Sequence, residues 1–154
     1  MYNAIDVARH VINYSNEKDY LLSYNKLPKV LYYIQALFLI KRDEPCFIEE
    51  IRACEIGPEI DAISKEFDTI TSLEIPPITH FLEGVGWQAI REEYLDDILS
   101  DNDKALIDSV VDLLSIFTAT ELLNILHNQK PFKEAFNDPY DNIITPESIK
   151  AFYS

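Results

Sequence analysis

The chain has 154 residues, 47% hydrophobic and 26% charged, with 13 basic residues against 27 acidic ones and a formal net charge of -14. A chain of that length and mix folds as one globular domain that hides roughly two thirds of its unfolded surface. The acidity repels phosphate backbones, which excludes nucleic acid as a partner of this chain alone; it either keeps the chain in solution or speeds encounter with a basic protein.

The N-terminus, "MYNAIDVARH", lacks the basic and then apolar regions of a signal peptide. Asn3 is placed to cap a first helix with Ala4, Val7, Ala8, Val11 and Ile12 on one face. "YSNEKDY" breaks it, and a second helix is expected from about Asn25, with Pro28 in its first turn, where a missing N–H costs nothing. Leu27, Val30, Leu31, Ile34, Leu37 and Phe38 form its apolar stripe, and Tyr32, Tyr33, Leu39 and Ile40 fill much of the remaining circumference. Such a helix belongs at the centre of a bundle. The apolar run "VLYYIQALFLI" is 11 residues long, against roughly 20 for a membrane span. No membrane is implied, and the chain reads as cytoplasmic.

"CFIEEIRAC" is short and β-tolerant, and suggests a small strand pair near residues 46–56. Gly57-Pro58 follows, and Ile60, Ile63 and Phe67 then recur at helical spacing, with Pro58 suited to the first turn. Pro76 and Pro77 exclude a regular helix over "SLEIPPITHF". The acidic stretch from Glu92 to Asp103 reads as a solvated face or loop. Leu106, Val110, Leu113, Leu114 and Phe117 mark another helical face, and "TATE" is a capping box with Thr118 and Glu121. Leu122, Leu123, Ile125 and Leu126 carry the core on to His127, and "TPESIKAFY" opens a last helix with Thr145 as cap and Pro146 first. The fold class is mainly α: a single compact multi-helix domain.

Chemistry is sparsely signalled. Cys46 and Cys54 form neither a disulfide framework nor a zinc motif, and no two of His10, His80 and His127 have ligand spacing. His10 reads as a surface or boundary residue in mid-helix, and His127 as a helix C-cap. A Cys54–His127 nucleophile pair is conceivable if the two meet. Three glycines do not build a Walker loop, a dinucleotide fingerprint or a nucleophile elbow. No cofactor is expected, and the chain reads as a non-enzyme.

Three blocks together carry a resemblance. "KLPKVLYYIQALFL" (26–39) resembles the Leu-Gln-Lys-Leu-Leu-Tyr-Tyr-Ala-Gln-Ala block of the Panacea domain, also called the SocA-like or GepA-type phage-associated domain. "FIEEIRACEIGPEIDAISKEF" (47–67) is similar to its next block, in which Ala-Trp precedes Gly-Pro and a helix ends in Glu-Phe. "LSDNDKALIDSVVDLLSIFTATELLNILHNQKPFKEA" (99–135) resembles its C-terminal block, and the closing "ITPESIKAFY" is also family-like. Residues 68–98 do not align. Pro28, Cys54, Glu59, Leu126 and Phe132 depart from the family's glutamine, tryptophan, apolar residue, threonine and tryptophan.

The resemblance implies one domain over 1–154 and an antitoxin, encoded beside an unrelated toxin, often in prophages, that neutralises it by protein–protein contact. A SocA-type member instead delivers the toxin to a ClpXP-type, ATP-dependent protease. An uncharacterised enzyme built on Cys54 and His127, or an acidic mimic of nucleic acid, are the other readings. The candidate partner anchors are Tyr32, Tyr33, Phe47, Trp87 and Phe132, each also a candidate core residue. The corner Gly57-Pro58, with Glu55 and Glu59, and His127 complete the set; Gly57 and Pro58 read first as architecture.

Overall fold

The computed structural model describes residues 1–67 and 74–154. Helix α1 (Ala4–Glu17) leads to α2 (Leu27–Arg42), an antiparallel pair β1 (Ile51–Cys54) and β2 (Gly57–Glu59), and α3 (Asp61–Phe67). A second antiparallel pair, β3 (His80–Glu83) and β4 (Ile90–Glu93), follows. The chain ends with α4 (Asp101–Leu114), α5 (Ala119–His127), α6 (Lys130–Asn137), the short strand β5 (Ile143–Ile144) and α7 (Pro146–Tyr153). Mainly α is therefore right in outline, with two small sheets added.

α2 is the axis of the fold. It packs against α1, α4, α5, α7 and β2, and Leu27, Leu31, Tyr32 and Ile34 are fully buried. Each of the three aliphatic side chains among them stabilises the fold by roughly 1.5–3 kcal/mol on area grounds. The helix starts at Leu27 rather than Asn25, after a turn closed by Ser23, whose Oγ accepts from the Lys26 N–H at 3.2 Å. It stops at Asp43, which takes the left-handed conformation at φ 61°. Gln35 is buried on its face and clamps the next segment: its Oε1 accepts from the N–H groups of Cys46 (2.7 Å) and Phe47 (3.1 Å), and its Nε2 donates to the Phe47 carbonyl (3.0 Å). Three main-chain groups are thus satisfied without a ladder.

The expected strand pair exists, shifted to 51–59, and β5 joins it to give the order β2-β1-β5. Pro58 belongs to β2, not to a helical first turn; α3 begins at Asp61. Glu55 and Ile56 connect Cys54 to its partner Gly57, whose φ of 118° only glycine adopts without strain. Any Cβ there would also lie 3.1 Å from Lys29 Cε and 3.3 Å from Leu123 Cδ1. Gly57 and Pro58 are buried. The corner is architecture.

Local details depart from the sequence reading in instructive ways. Asn3 stands at the N-cap of α1 without a side-chain bond; Glu49 supplies the acceptor instead, taking the Ala4 N–H at 2.8 Å. In α4 the buried face runs through Ile107, Val110, Val111 and Leu114, while Leu113 is 66% exposed. In α5, Leu122 and Leu126 are buried and Ile125 is not. The Thr118–Glu121 capping box forms in both directions, at 3.0 and 3.1 Å, and Thr145 caps α7 by accepting from the Ser148 N–H at 3.1 Å. α6 has no counterpart in the sequence reading. Of the non-helical run 72–81, residues 72–73 lie outside the described residues; the rest is not helical.

Candidate partner-binding site

The least covered part of the described chain is the β3–β4 hairpin. Its register pairs His80 with Glu93, Phe81 with Glu92, Leu82 with Arg91 and Glu83 with Ile90. Gly84 (φ 102°) and Gly86 (φ 60°) turn the chain at the tip, where residues Gly86–Gln88 form one 3-10 turn. Trp87 stands there 92% exposed and Val85 87% exposed, with Leu82 and Ile90 also largely in solvent. An exposed tryptophan beside three exposed aliphatic side chains is unusual on a free surface, which makes the tip the candidate contact site.

The base of the hairpin is tied down as firmly as its tip is free. Asn13 of α1 pairs with both main-chain groups of Ile78: its Nδ2 donates to the carbonyl at 3.0 Å, and its Oδ1 accepts from the N–H at 2.6 Å. Four residues before it, the Arg9 guanidinium lies 3.8 Å from the centre of the Phe81 ring and pairs with Glu66 at 3.2 Å. The Tyr94 N–H reaches back to the Thr79 carbonyl at 2.8 Å and closes the strand pair. A single face of α1 therefore orients the whole hairpin.

His10 completes this bracing. Its Nδ1 lies 3.0 Å from Asp96 Oδ2 and its Nε2 2.7 Å from Asp108 Oδ1, so both ring nitrogens face carboxylates. Both contacts are hydrogen bonds only when the ring carries both protons. Burial, the largest single influence, pushes the Asp96 carboxyl up; the His10 hydrogen bond and charge, the Tyr94 hydroxyl and Lys104 outweigh it and hold Asp96 below its ordinary value. His10 is thus a buried link between α1, α4 and the segment after β4, not a surface residue. Most of the stretch 92–103 is exposed, as expected, but Leu99 and Asp103 are buried, and Asp103 pairs with Arg42 of α2.

Comparison with known families places this architecture. The family model of the SocA-like antitoxins, Panacea domain, matches residues 27–133, running from the start of α2 through the hairpin to α6. The chain belongs to the SocA-like Panacea family. No curated protein and no solved structure matches it.

The Panacea domain buries much of what the sequence offered as partner anchors. Tyr32 and Phe132 are fully buried and Phe47 is 1% exposed. All three are core residues: Tyr32 and Phe132 lie on the inward faces of α2 and α6, and Phe47 is drawn in by the Gln35 clamp. Tyr33 is half-buried, packed edge-on against Tyr32 at 5.6 Å. Glu59 is engaged internally, accepting from Cys54 Sγ (3.0 Å) and Ser64 Oγ (3.2 Å), while Glu55 is exposed. His127 makes no capping bond. Its ring packs on Phe132 and Phe136 (centres 4.8 and 5.6 Å apart), and Asn128 Nδ2 bonds the Asn124 carbonyl instead. Trp87 is at the surface.

Cys54 and His127 are not joined: Cys54 bonds Glu59 and Arg52, whereas His127 meets the two phenylalanines. Burial, reinforced by Glu59, pushes the Cys54 thiol up to about 11, the wrong direction for a nucleophile. Among the described residues no cluster of histidine, cysteine or acidic groups has metal-site geometry, and no helix is long and apolar enough to cross a membrane. The hairpin itself escaped sequence reading. The available signal was two short runs, "HFLE" and "IREE", around a connection holding Gly84 and Gly86.

Proposed function

We propose that this Panacea domain is an antitoxin that holds a toxin inactive by direct contact, with the hairpin tip as the anchor and no catalytic step. The observation that carries the reading is Trp87, 92% exposed on a hairpin whose base is fixed by Asn13 and Arg9. A tryptophan has only two side-chain torsions to order on binding for a large contact area, which is why such residues dominate interface energetics. Glu83 adjoins the tip, and Glu92, Glu93 and Asp97 are exposed toward the hairpin's base and beyond it; with the net charge of -14 they favour a toxin with a basic face.

The test is co-expression with the product of the adjacent gene, scoring growth and purifying on one tag. The reading expects that product to arrest growth alone and to co-purify intact with this chain when both are present. Rescue in which the product disappears unless an ATP-dependent protease is deleted assigns the chain to the adaptor mode instead. A harmless, unbound neighbour removes it as this chain's toxin.

A further inference from the structure

The β3–β4 hairpin is a ladder of two strands only. The Tyr94 N–H donates to the Thr79 carbonyl at 2.8 Å, and this pair continues the hairpin's register by one step. Bonded and unbonded pairs alternate along an antiparallel ladder. Phe81 with Glu92 and Glu83 with Ile90 are therefore bonded pairs; His80 with Glu93 and Leu82 with Arg91 are not. The main-chain N–H and carbonyl groups of Arg91 and Glu93 thus face away from β3. Among the described residues these groups have no hydrogen-bond partner.

Of the two outer edges, that of β4 is the freer. All four of its residues are exposed, whereas Phe81 in β3 is partly covered by the Arg9 guanidinium. A free edge is a template for another strand, which binds through its main chain. A ribbon of two strands is also marginal by itself and is firmer with a third. Charge decides which strand fits. From Glu83 to Asp97 the chain places five acidic residues against one basic residue, Arg91. A second copy would bring the same acidic edge and a net charge of -14, and is repelled. A strand rich in lysine or arginine is attracted.

We propose that the outer edge of β4 takes a basic, extended segment of the toxin as a third strand, paired with the main chain of Arg91 and Glu93. This states what the toxin presents to the hairpin, and it rests on the hairpin being the contact element. Trp87 at the tip supplies the side-chain anchor; the edge supplies main-chain bonds, and Glu92 and Glu93 supply the preference for a basic strand.

The test is an NMR titration of the whole chain with a defined strand, acetyl-Lys-Val-Lys-Val-Lys-Val-amide. The Arg91 and Glu93 amides should shift and gain protection from exchange, and the same peptide with glutamate in place of lysine should not bind. Glu93→Pro and Glu93→Gln lose the same charge, but only the proline loses the outward N–H. Proline is tolerated at such a position because that N–H takes no part in the hairpin's own ladder. Glu93→Pro should bind the basic peptide about fivefold or more weaker than Glu93→Gln, as for one lost hydrogen bond. Equal affinity of the two variants, with the Phe81 and Glu92 amides still protected in both, would overturn the proposal. So would equal binding of the acidic peptide, unmoved Arg91 and Glu93 amides, or no binding of the basic peptide. Self-association of the chain through the same amides would give the edge to a second copy and overturn it too. Should Glu93→Pro lose the hairpin's protection, the amide shifts of the parent chain decide alone. Failure with the peptide leaves the Trp87 contact standing, and a co-expression without a toxin leaves the peptide result standing, so the two failures are told apart.

Discussion

α2 and the β3–β4 hairpin carry aromatic side chains to opposite ends. In α2, Tyr32 is fully buried and Phe38 is 4% exposed, and the helix meets neighbours on nearly every side. In the hairpin, Trp87 and Val85 stand in solvent, and the base is held by polar and cation–π contacts to α1 and by Ile78 packed against the core. The same residue class thus does two jobs. Where an aromatic ring is enclosed, it holds the fold together; where it is held out on a braced support, it remains available for contact. Stability and recognition should be separable by mutation.

The largest effect on stability belongs to the enclosed side. Phe132 is fully buried and stacks with Phe136 at 5.7 Å, so Phe132→Ala should cost about 3–5 kcal/mol of unfolding free energy, read by urea denaturation. A cost below about 1 kcal/mol would mean that α6 is not part of the cooperative core.

The brace between the two regions should show a smaller and more local effect. Asn13→Ala removes both bonds to Ile78 and leaves a partly buried main-chain pair unsatisfied, at about 1–3 kcal/mol. Hydrogen exchange at the Ile78 and Tyr94 amides should quicken, while amides of α2 keep their protection. Uniform quickening across the chain would show that the hairpin is not a separate unit.

The smallest effect is a pH dependence. Asp96 is held below its ordinary value of 3.8, so its bonds to His10 and Lys104 favour the folded state at neutral pH. That contribution is complete above the unfolded-state value and is lost as the pH falls below about 4, through the folded-state value. Asp96→Asn should lower stability at pH 7 and flatten the acid limb of a stability–pH curve. An acid limb identical to that of the parent chain would show that Asp96 is not coupled to folding.

How much of this was legible in the sequence depended on how local each cause was. The first helix, the apolar run of the second, the Thr118–Glu121 box and the Thr145-Pro146 start follow from residues a few positions apart, and each forms, although Asn3 does not cap the first. Features completed by distant chain were not visible. Glu49 caps α1 across 45 positions, and His10 is enclosed by carboxylates 86 and 98 positions away. The hairpin failed for another reason. Alternation of apolar and polar residues reports a sheet with one covered face, and Leu82, Ile90 and their charged neighbours Glu83 and Arg91 are exposed together. Of the anchors drawn from the sequence, Tyr32, Phe47 and Phe132 were indistinguishable from Trp87 by residue type. Only burial separates them.

That separation is also the most direct test of the account. The Trp87→Ala variant should be titrated against the toxin recovered by co-expression, with its urea denaturation measured in parallel. The account predicts unfolding free energy within about 0.5 kcal/mol of the parent chain and toxin affinity weakened by about 2 kcal/mol or more, roughly thirtyfold. Undiminished toxin affinity in a variant of parental stability would contradict the assignment of the hairpin tip as the anchor.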